Sequence, residues 1–408
     1  MTIATNAEPS SDAASATHPD DGGRDVLSAR VVLLTNFVPP YRVPLLEALA
    51  RRVSRFTVLT STTVEPNRSW QTDAGSLDVR VQRTWTLRRS WKHPSGFVYP
   101  IYVHIPWDTL PQLRRLRPDV VVSGELGFRS LFGAIYCSSS RRTKLILWAT
   151  LSERTEMGRG RTRYVLRRWL ARRADRVIVN GASGERYLRR LGCPPEKIDR
   201  MPYTAVSEFA SVGETSRPST RVQQLLFVGQ LTELKGLVPF IRELDAWART
   251  HPDRRPRFTI AGSGPQRDEI ENVSHLADVE IQLTGELDPS ALAAHLAAAD
   301  ALVLPTLSDE WGVVVNEALA AGVPVLGSIH SQAVMELCED GSNGWLFDPE
   351  DEVSTRSALD RMFATGETDL AAMRVQARER VREMTPEWAA DRLVASIETA
   401  LARTTAAG

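Results

Sequence analysis

The chain has 408 residues, with 50 Lys and Arg against 50 Asp and Glu, 42% hydrophobic and 25% charged. This is the composition of a globular protein long enough for two ordinary domains, with nothing extreme in it. Cys137, Cys193 and Cys338 stand isolated, which excludes a cysteine metal motif or disulfide framework and favours a reducing, cytoplasmic home; no apolar run approaches ~18 residues, so no spanning helix is expected.

The balanced total hides an asymmetry. Residues 26–205 carry 32 Lys and Arg against 13 Asp and Glu, whereas residues 206–408 carry 17 against 32. Opposite signs in the two halves predict two domains, the basic one meeting an anionic surface or substrate.

Residues 1–25 are mostly Ala, Ser, Thr, Asp and Gly, without a basic start or an apolar core. They predict a disordered tail and not a signal peptide. Residues 30–36 (RVVLLTN) read as a first parallel strand, residues 37–42 as a loop and residues 43–53 as a helix with apolar positions at helical spacing. A strand–loop–helix opening is Rossmann-like. Residues 56–61 read as a second strand. Residues 64–107 hold Trp70, Trp85, Trp91, Phe97, Tyr99, Tyr102 and Trp107 without regular periodicity. Such rings stack on sugars, sit at membrane interfaces or anchor a core. Residues 118–124 and 144–149 read as further strands, with a helix from about Ser130 between them.

Residues 161–173 (RTRYVLRRWLARR) read as a basic helix in which Tyr164, Val165, Trp169 and Leu170 interleave with arginines. That pattern suits an anionic membrane face, and equally a helix packed on a sheet with solvated arginines. Residues 177–179 give a strand, 184–191 a helix, and 201–221 an interdomain linker with scattered Pro, Ser, Thr and Gly.

The second half opens on a buried strand, residues 225–229, followed by Gln230 and, a few residues on, Lys235-Gly236. Residues 257–261 form a strand that ends in Gly262-Ser263-Gly264-Pro265, and residues 280–283 another that ends in Thr284-Gly285-Glu286-Leu287. The central unit is ALVLPTLSDEWGVVVNEALAAGVPVLG, residues 301–327. It reads as strand, polar turn, helix from Val313 to Ala321 with Gly322 behind it, and strand: the βαβ unit of a parallel sheet. In such sheets ligands bind beyond the carboxyl ends of strands, at helix N-termini. The backbone N–H groups of Trp311, Gly312, Val313 and Val314 are expected to form an anion site there. Asp309 precedes them and Glu317 lies about one turn into the helix. An anion site between two carboxylates suits a ligand bearing phosphate and hydroxyls, such as a nucleotide sugar.

This stretch resembles the signature of glycosyltransferase family 4, the retaining GT-B enzymes: two acidic residues separated by seven, Asp309 and Glu317, then Ala320-Ala321-Gly322-Val323-Pro324-Val325. Lys235-Gly236, the Gly262–Pro265 turn and Asn343-Gly344-Trp345-Leu346-Phe347 match further family motifs. The resemblance implies two Rossmann-like α/β domains facing a cleft: residues 26–205 on the acceptor side, residues 206–385 binding the donor, and a helix, residues 386–408, crossing back.

It further implies a metal-independent, cofactor-free retaining transferase. Lys235, Asp309 and Glu317 would be its catalytic residues. Gly229, Gln230, Lys235, Gly262, Gly264, Gly285, Leu287, Asp309, Trp311, Gly312, Val313, Val314 and Glu317 would bind a nucleotide-sugar donor, and no nucleic acid. Lys235 would neutralise the diphosphate, Asp309 hold the sugar and Glu317 the ribose. The acceptor would be a glycan or a lipid-linked one, in envelope or exopolysaccharide assembly, with peripheral attachment to the inner membrane face through the basic domain.

The sequence departs from the family in four places. Asp309-Glu310 replaces the usual Glu-Gly. Gln230 replaces an Arg that faces the diphosphate. Pro40-Tyr41-Arg42 replaces two glycines of the first loop, and Arg42 is the expected compensating phosphate or acceptor contact. No His follows the 144–149 strand, where Ala149-Thr150-Leu151-Ser152 stand; His93 and His104 are the candidates to replace it. The same architecture serves nucleotide-sugar 2-epimerases and non-catalytic nucleotide-sugar-binding homologues, and these are the rival expectations.

Overall fold

The computed structural model describes residues 26–64, 73–140, 142–204, 209 and 220–402. The expected tail, Trp70, most of the linker and the last residues of the chain lie outside them. The strands are β1 (Leu27–Thr35), β2 (Val53–Thr60), β3 (Val79–Val81), β4 (Thr84–Lys92), β5 (Val98–Pro106), β6 (Val120–Gly124), β7 (Lys144–Ala149), β8 (Arg176–Val179), β9 (Ile198–Arg200), β10 (Gln224–Val228), β11 (Arg257–Ala261), β12 (Glu280–Gly285), β13 (Ala301–Leu304), β14 (Val325–Ser328) and β15 (Gly344–Phe347).

They form two parallel sheets and one hairpin. The first sheet has the order β3-β2-β1-β6-β7-β8-β9 and the second β12-β11-β10-β13-β14-β15. Both are doubly wound. In the first, the winding reverses between β1 and β6; in the second, between β10 and β13. Crevices open at these switch points, beyond the carboxyl ends of the strands. The central strands read as near-continuous apolar runs because helices cover both faces: Val31 to Leu34, Val120 to Val122 and Ala301 to Leu304 are all at most 3% exposed.

The helix Pro386–Ala402 belongs by sequence to the second half but packs in the first. Its Ala389, Ala390, Leu393, Ile397 and Ala400 join Leu45, Leu46 and Leu49 in one apolar cluster. Arg52, 7% exposed in its side chain, donates to Asp391 at 2.7 Å and holds the register. This helix ties the two domains together.

Residues 84–106, read from the sequence as irregular, are the antiparallel hairpin β4–β5, in register from Thr84↔Pro106 to Lys92↔Val98. The signal was present: two runs rich in aromatic and β-branched residues flank His93-Pro94-Ser95-Gly96. His93 and His104 both belong to this hairpin. His93 stacks on Phe97 at 4.5 Å and its Nδ1 accepts from the Ser95 amide. His104 Nδ1 pairs with Thr86 Oγ1 at 2.9 Å. Each uses its Nδ1 within the hairpin itself.

Candidate functional site

The site is built on the loop between β13 and the helix Val313–Ala320. Pro305 ends the strand. Thr306 Oγ1 donates to the Leu234 carbonyl at 3.0 Å, Ser328 Oγ to the Thr306 carbonyl at 2.7 Å, and Ser331 Oγ to the Trp311 carbonyl at 2.6 Å. These bonds fix the loop against its neighbours. Gly312 then starts the helix at φ 101°, a backbone favoured by glycine.

Two of the expected side chains meet directly. Lys235 ends a short 3-10 turn after β10, and its Nζ lies 2.5 Å from Asp309 Oδ2, with the two side chains 19% and 16% exposed. Gly236 is required at the next position. It has φ 65°, and a side chain there would start 2.2 Å from the Pro305 carbonyl oxygen. The Lys-Gly pair is thus pressed onto the start of the Asp309 loop.

Asp309 has a second contact that corrects the sequence reading. Its Oδ1 accepts from the Trp311 backbone N–H at 3.3 Å. Trp311 is 2% exposed, and its indole donates to Asn316 Oδ1 at 2.7 Å. Trp311 therefore offers a ligand neither amide nor ring. The open donors are the N–H groups of Gly312, Val313 and Val314, for which no acceptor is present among the described residues. They are the orphan amides of a helix N-terminus.

Glu317 lies further along the same helix, half-buried, its carboxylate without a hydrogen-bond or ion-pair partner among the described residues. Burial pushes its carboxyl up to about 7. A carboxylate without a partner in a dehydrated place is costly, and its chemistry is to accept hydrogen bonds from a ligand.

The glycines of the second and third loops have a different task from the one expected. A side chain on Gly262 would start 1.9 Å from the Gly229 carbonyl oxygen, and one on Gly264 would start 2.3 Å from that of Leu231. They are needed so that the loop after β11 can lie against the loop after β10. Leu231 N–H donates to the Ser263 carbonyl at 2.8 Å and Gly262 N–H to that of Gly285 at 2.7 Å. Gly229, Gly262 and Gly285 thereby form one braced floor, with Leu287 half-buried beside it. Gln230 Oε1 accepts from the Tyr99 hydroxyl of the β4–β5 hairpin at 3.4 Å.

Arg42 is engaged elsewhere. Its guanidinium lies 4.7 Å from the Trp148 ring and 5.2 Å from the Tyr203 ring, and it donates to the Tyr203 hydroxyl at 2.6 Å. Tyr203 also packs on Trp311 at 5.9 Å, and its carbonyl accepts from Asn316. Arg42 thus holds Tyr203, which in turn meets the second domain, and these contacts correct its expected role as a phosphate or acceptor contact.

Sequence reasoning missed a set of residues that closes the cleft. Arg154 Nε donates to the Leu307 carbonyl at 2.6 Å, and its other end lies 2.5 Å from Glu350 Oε2. Ser95, at the hairpin tip, donates to Glu350 at 2.5 Å. Gln332 bonds the Leu151 and Glu310 carbonyls, and Asn180 also reaches Glu310. The place of the absent histidine is therefore sealed by Gln332. None of these residues sits in a motif; apart from Gln332 to Glu310, which lie 22 residues apart, each contact spans 130 residues or more of sequence.

His330, Asp348 and Glu350 form a donor set of the kind that holds a divalent cation, all within 4.8 Å. Here Glu350 already faces the Arg154 guanidinium, and His330 Nε2 lies 3.1 Å from Asp348 Oδ1. Burial, with Arg154 adding to it, lowers the His330 pKa. The cluster fits an interdomain contact better than a metal centre.

Comparison with known proteins bears on the family and the fold. Residues 38–204 match the family model described as Glycosyl transferase 4-like domain, and residues 222–365 match the one described as Glycosyl transferases group 1. The chain is 28% identical over 241 residues to a putative colanic acid biosynthesis glycosyltransferase, WcaL, of Salmonella typhimurium, covering 56% of this chain and 57% of that protein. It is 32% identical over 198 residues to a glycogen synthase of Mycobacterium tuberculosis, covering 47% of each. The chain thus spans about half the length of these curated relatives. Among solved structures, Anabaena Alr3699/HepE in complex with UDP superimposes with a TM-score of 0.69 at 15% identity, covering 91% of this chain and all of that one. The same protein with UDP-glucose gives 0.66. The architecture is that of the GT-B fold.

Proposed function

The chain belongs to the GT4-type glycosyltransferase family, and from that premise we propose that it is a retaining, metal-independent transferase moving a sugar from a nucleotide diphosphate donor to a glycan or lipid-linked acceptor. One observation carries the reading. At the second sheet's switch point, a half-buried Lys235–Asp309 pair stands beside three open amides, Gly312 to Val314, and a partnerless Glu317. A lysine and open amides bind phosphate, and carboxylates bind hydroxyls. Only a ligand with both satisfies every group. The UDP and UDP-glucose complexes of a protein of like fold support the same class of ligand.

The chemistry follows from the charges. A bound diphosphate draws Lys235 away from Asp309, so Asp309 is released to the sugar as Lys235 takes up the phosphate. Negative charge then grows on the departing phosphate, where Lys235 and the amides stabilise it. The acceptor oxygen attacks the anomeric carbon from the leaving-group side. The bond to phosphate breaks as the new glycosidic bond forms, and the acceptor proton passes to a phosphate oxygen. No side chain has to act as nucleophile, and Lys235 and the amides do the work of a metal.

A role at the inner face of a membrane, in envelope or exopolysaccharide assembly, is supported by the helix Arg161–Arg173. Val165 is 65% exposed and Trp169 40% exposed, among exposed Arg161, Arg168, Arg172 and Arg173. Apolar residues between arginines suit an anionic bilayer surface. Among the described residues no helix is long and apolar enough to cross a membrane.

The test is titration calorimetry of UDP-, GDP- and dTDP-sugars, followed by acceptor-free donor turnover. One nucleotide sugar should bind, Lys235→Ala should weaken it at least tenfold, and the donor should be slowly hydrolysed. If none binds the unaltered protein, the transferase reading fails. Isomerisation of an intact donor sugar would mean an epimerase instead.

A further inference from the structure

The first sheet has its own switch point, between β1 and β6, and no motif marks it. Three strand ends converge there: Asn36 follows β1, Ser61 follows β2 and Glu125 follows β6. Beneath them lies Arg129, 3% exposed. Its guanidinium donates to the Gly124 carbonyl at 3.2 Å, to Ser61 Oγ at 3.2 Å and to Asn36 Oδ1. It also lies 3.6 Å from Glu125 Oε2.

Glu125 is held in an unusual backbone state. Its φ is 65°, and among the described non-glycine residues only Arg117 shares a positive value. Its N–H donates to the Trp148 carbonyl at 3.1 Å, and its own carbonyl accepts from Ser130 Oγ. Its side chain nevertheless remains 51% exposed. Asn36 Nδ2 donates to Oε1 at 2.5 Å, so the carboxylate is aimed as well as exposed. A left-handed non-glycine residue persists only where its surroundings enforce it, and such residues cluster at ligand sites.

The electrostatics select the ligand. Arg129 is buried under the carboxylate and is spent on Asn36, Ser61 and Gly124. What reaches the cleft is an acceptor of hydrogen bonds, not a cation. Glu310 of the second domain stands near enough to feel this charge: its carboxyl is pushed up to about 8, first by the surrounding protein, then by the charges of Glu125 and Glu156, with Arg159 opposing them. An aimed, half-exposed carboxylate at Glu125 disfavours phosphate and favours a neutral molecule rich in hydroxyl donors.

We propose that Glu125, aimed by Asn36 over buried Arg129, binds hydroxyls of the acceptor sugar at the first domain's switch point. This deepens the transferase reading and rests on it. It assigns the acceptor end a neutral glycosyl unit, whatever is attached beyond.

The experiment separates the two readings. Saturation-transfer NMR with a panel of methyl glycosides (glucoside, galactoside, mannoside and N-acetylglucosaminide) is run in the presence of UDP, with UDP affinity measured by calorimetry on the same samples. Unaltered protein should bind at least one glycoside. Glu125→Gln and Glu125→Ala should weaken it at least tenfold while changing UDP affinity less than twofold. Glu125→Gly, which suits the left-handed backbone, should melt at or above the unaltered protein and still lose the glycoside, so the loss is not one of folding. Glycoside binding that survives in all three variants overturns the proposal, as does a UDP-binding protein that takes no glycoside. Failure to bind UDP would instead count against the donor site.

Discussion

Glu317→Gln tests the donor site through stability alone. The folded protein raises this carboxyl from 4.5 to about 7 by burial. The folded state therefore binds the proton more tightly than the unfolded chain does. Between these pH values the native state holds more protons, so stability falls as pH rises through the window. Below about 4.5 the group is neutral in both states and costs nothing. Above about 8 it is ionised in both, and the full penalty is present. At 1.36 kcal/mol per pH unit the penalty is about 3 kcal/mol. Glutamine has nearly the same shape and cannot ionise. The variant should therefore match the unaltered protein at pH 4.5 and exceed it at pH 8 by about 3 kcal/mol, roughly 6–12 °C in the melting of a domain of this size. Scanning calorimetry at pH 4.5, 6 and 8 measures this. The same samples with UDP should show the opposite preference. Losing a charge-assisted bond to a ribose hydroxyl costs about 1.5–3 kcal/mol, so the variant should bind UDP roughly 10- to 100-fold more weakly. A stability difference that does not change with pH would refute the reasoning, because Glu317 would then be solvated or paired. A more stable variant with undiminished UDP affinity would keep the electrostatics and remove the ribose role.

Four further outcomes can be checked with the same preparations. Gly262→Ala should cost more than about 3 kcal/mol in urea unfolding, since its side chain would start 1.9 Å from a carbonyl oxygen. Gly285→Ala meets open space at φ 77° and should cost only about 1–2 kcal/mol; equal losses would defeat the steric account. Arg42→Ala should lose about 1–2 kcal/mol of stability from its ring contacts and leave UDP affinity unchanged, whereas a tenfold weaker UDP would return Arg42 to the phosphate. Arg154→Ala should enlarge the radius of gyration in small-angle scattering by freeing the hairpin tip and Glu350 from Leu307; an unchanged curve would mean that closure rests on Gln332 and the Pro386–Ala402 helix. Asp309→Asn removes the competitor for Lys235, so UDP should bind several-fold tighter while sugar turnover falls; weaker UDP binding would show that Asp309 prepares the lysine and does not restrain it.

The donor half was legible because its function is written into backbone constraints. Gly236, Gly262 and Gly264 are each forced by a carbonyl within 2.3 Å of where a side chain would begin, so they fall at fixed spacings that any reader can find. Asp309 and Glu317 share one loop and one helix, and their separation is set by local geometry. The errors in this half came from tertiary detail. Trp311 N–H turns to Asp309 two residues back, a turn of the loop that spacing alone does not reveal; in the other half, Arg42 turns to Trp148 and Tyr203, partners more than 100 residues away in sequence.

The acceptor half obeys a different logic, and its residues could not be read the same way. Asn36, Ser61 and Glu125 come from three strand ends and meet only because β2, β1 and β6 lie side by side. No spacing connects them, and Arg129, which gathers them, looks in sequence like one of many arginines on a basic domain. The positive charge of residues 26–205 suggested an anionic ligand. At the switch point the structure instead buries that charge and presents a carboxylate. Net charge describes the surface that a membrane or a polyanion meets; it does not describe the chemistry at the bottom of a cleft, where a guanidinium can be buried on its own partners while a carboxylate faces the ligand. Under the proposals above, attraction and recognition would fall to different parts of the same domain: the exposed arginines of the Arg161–Arg173 helix to the first, and the Glu125 cluster, whose cation is buried on Asn36, Ser61 and Gly124, to the second.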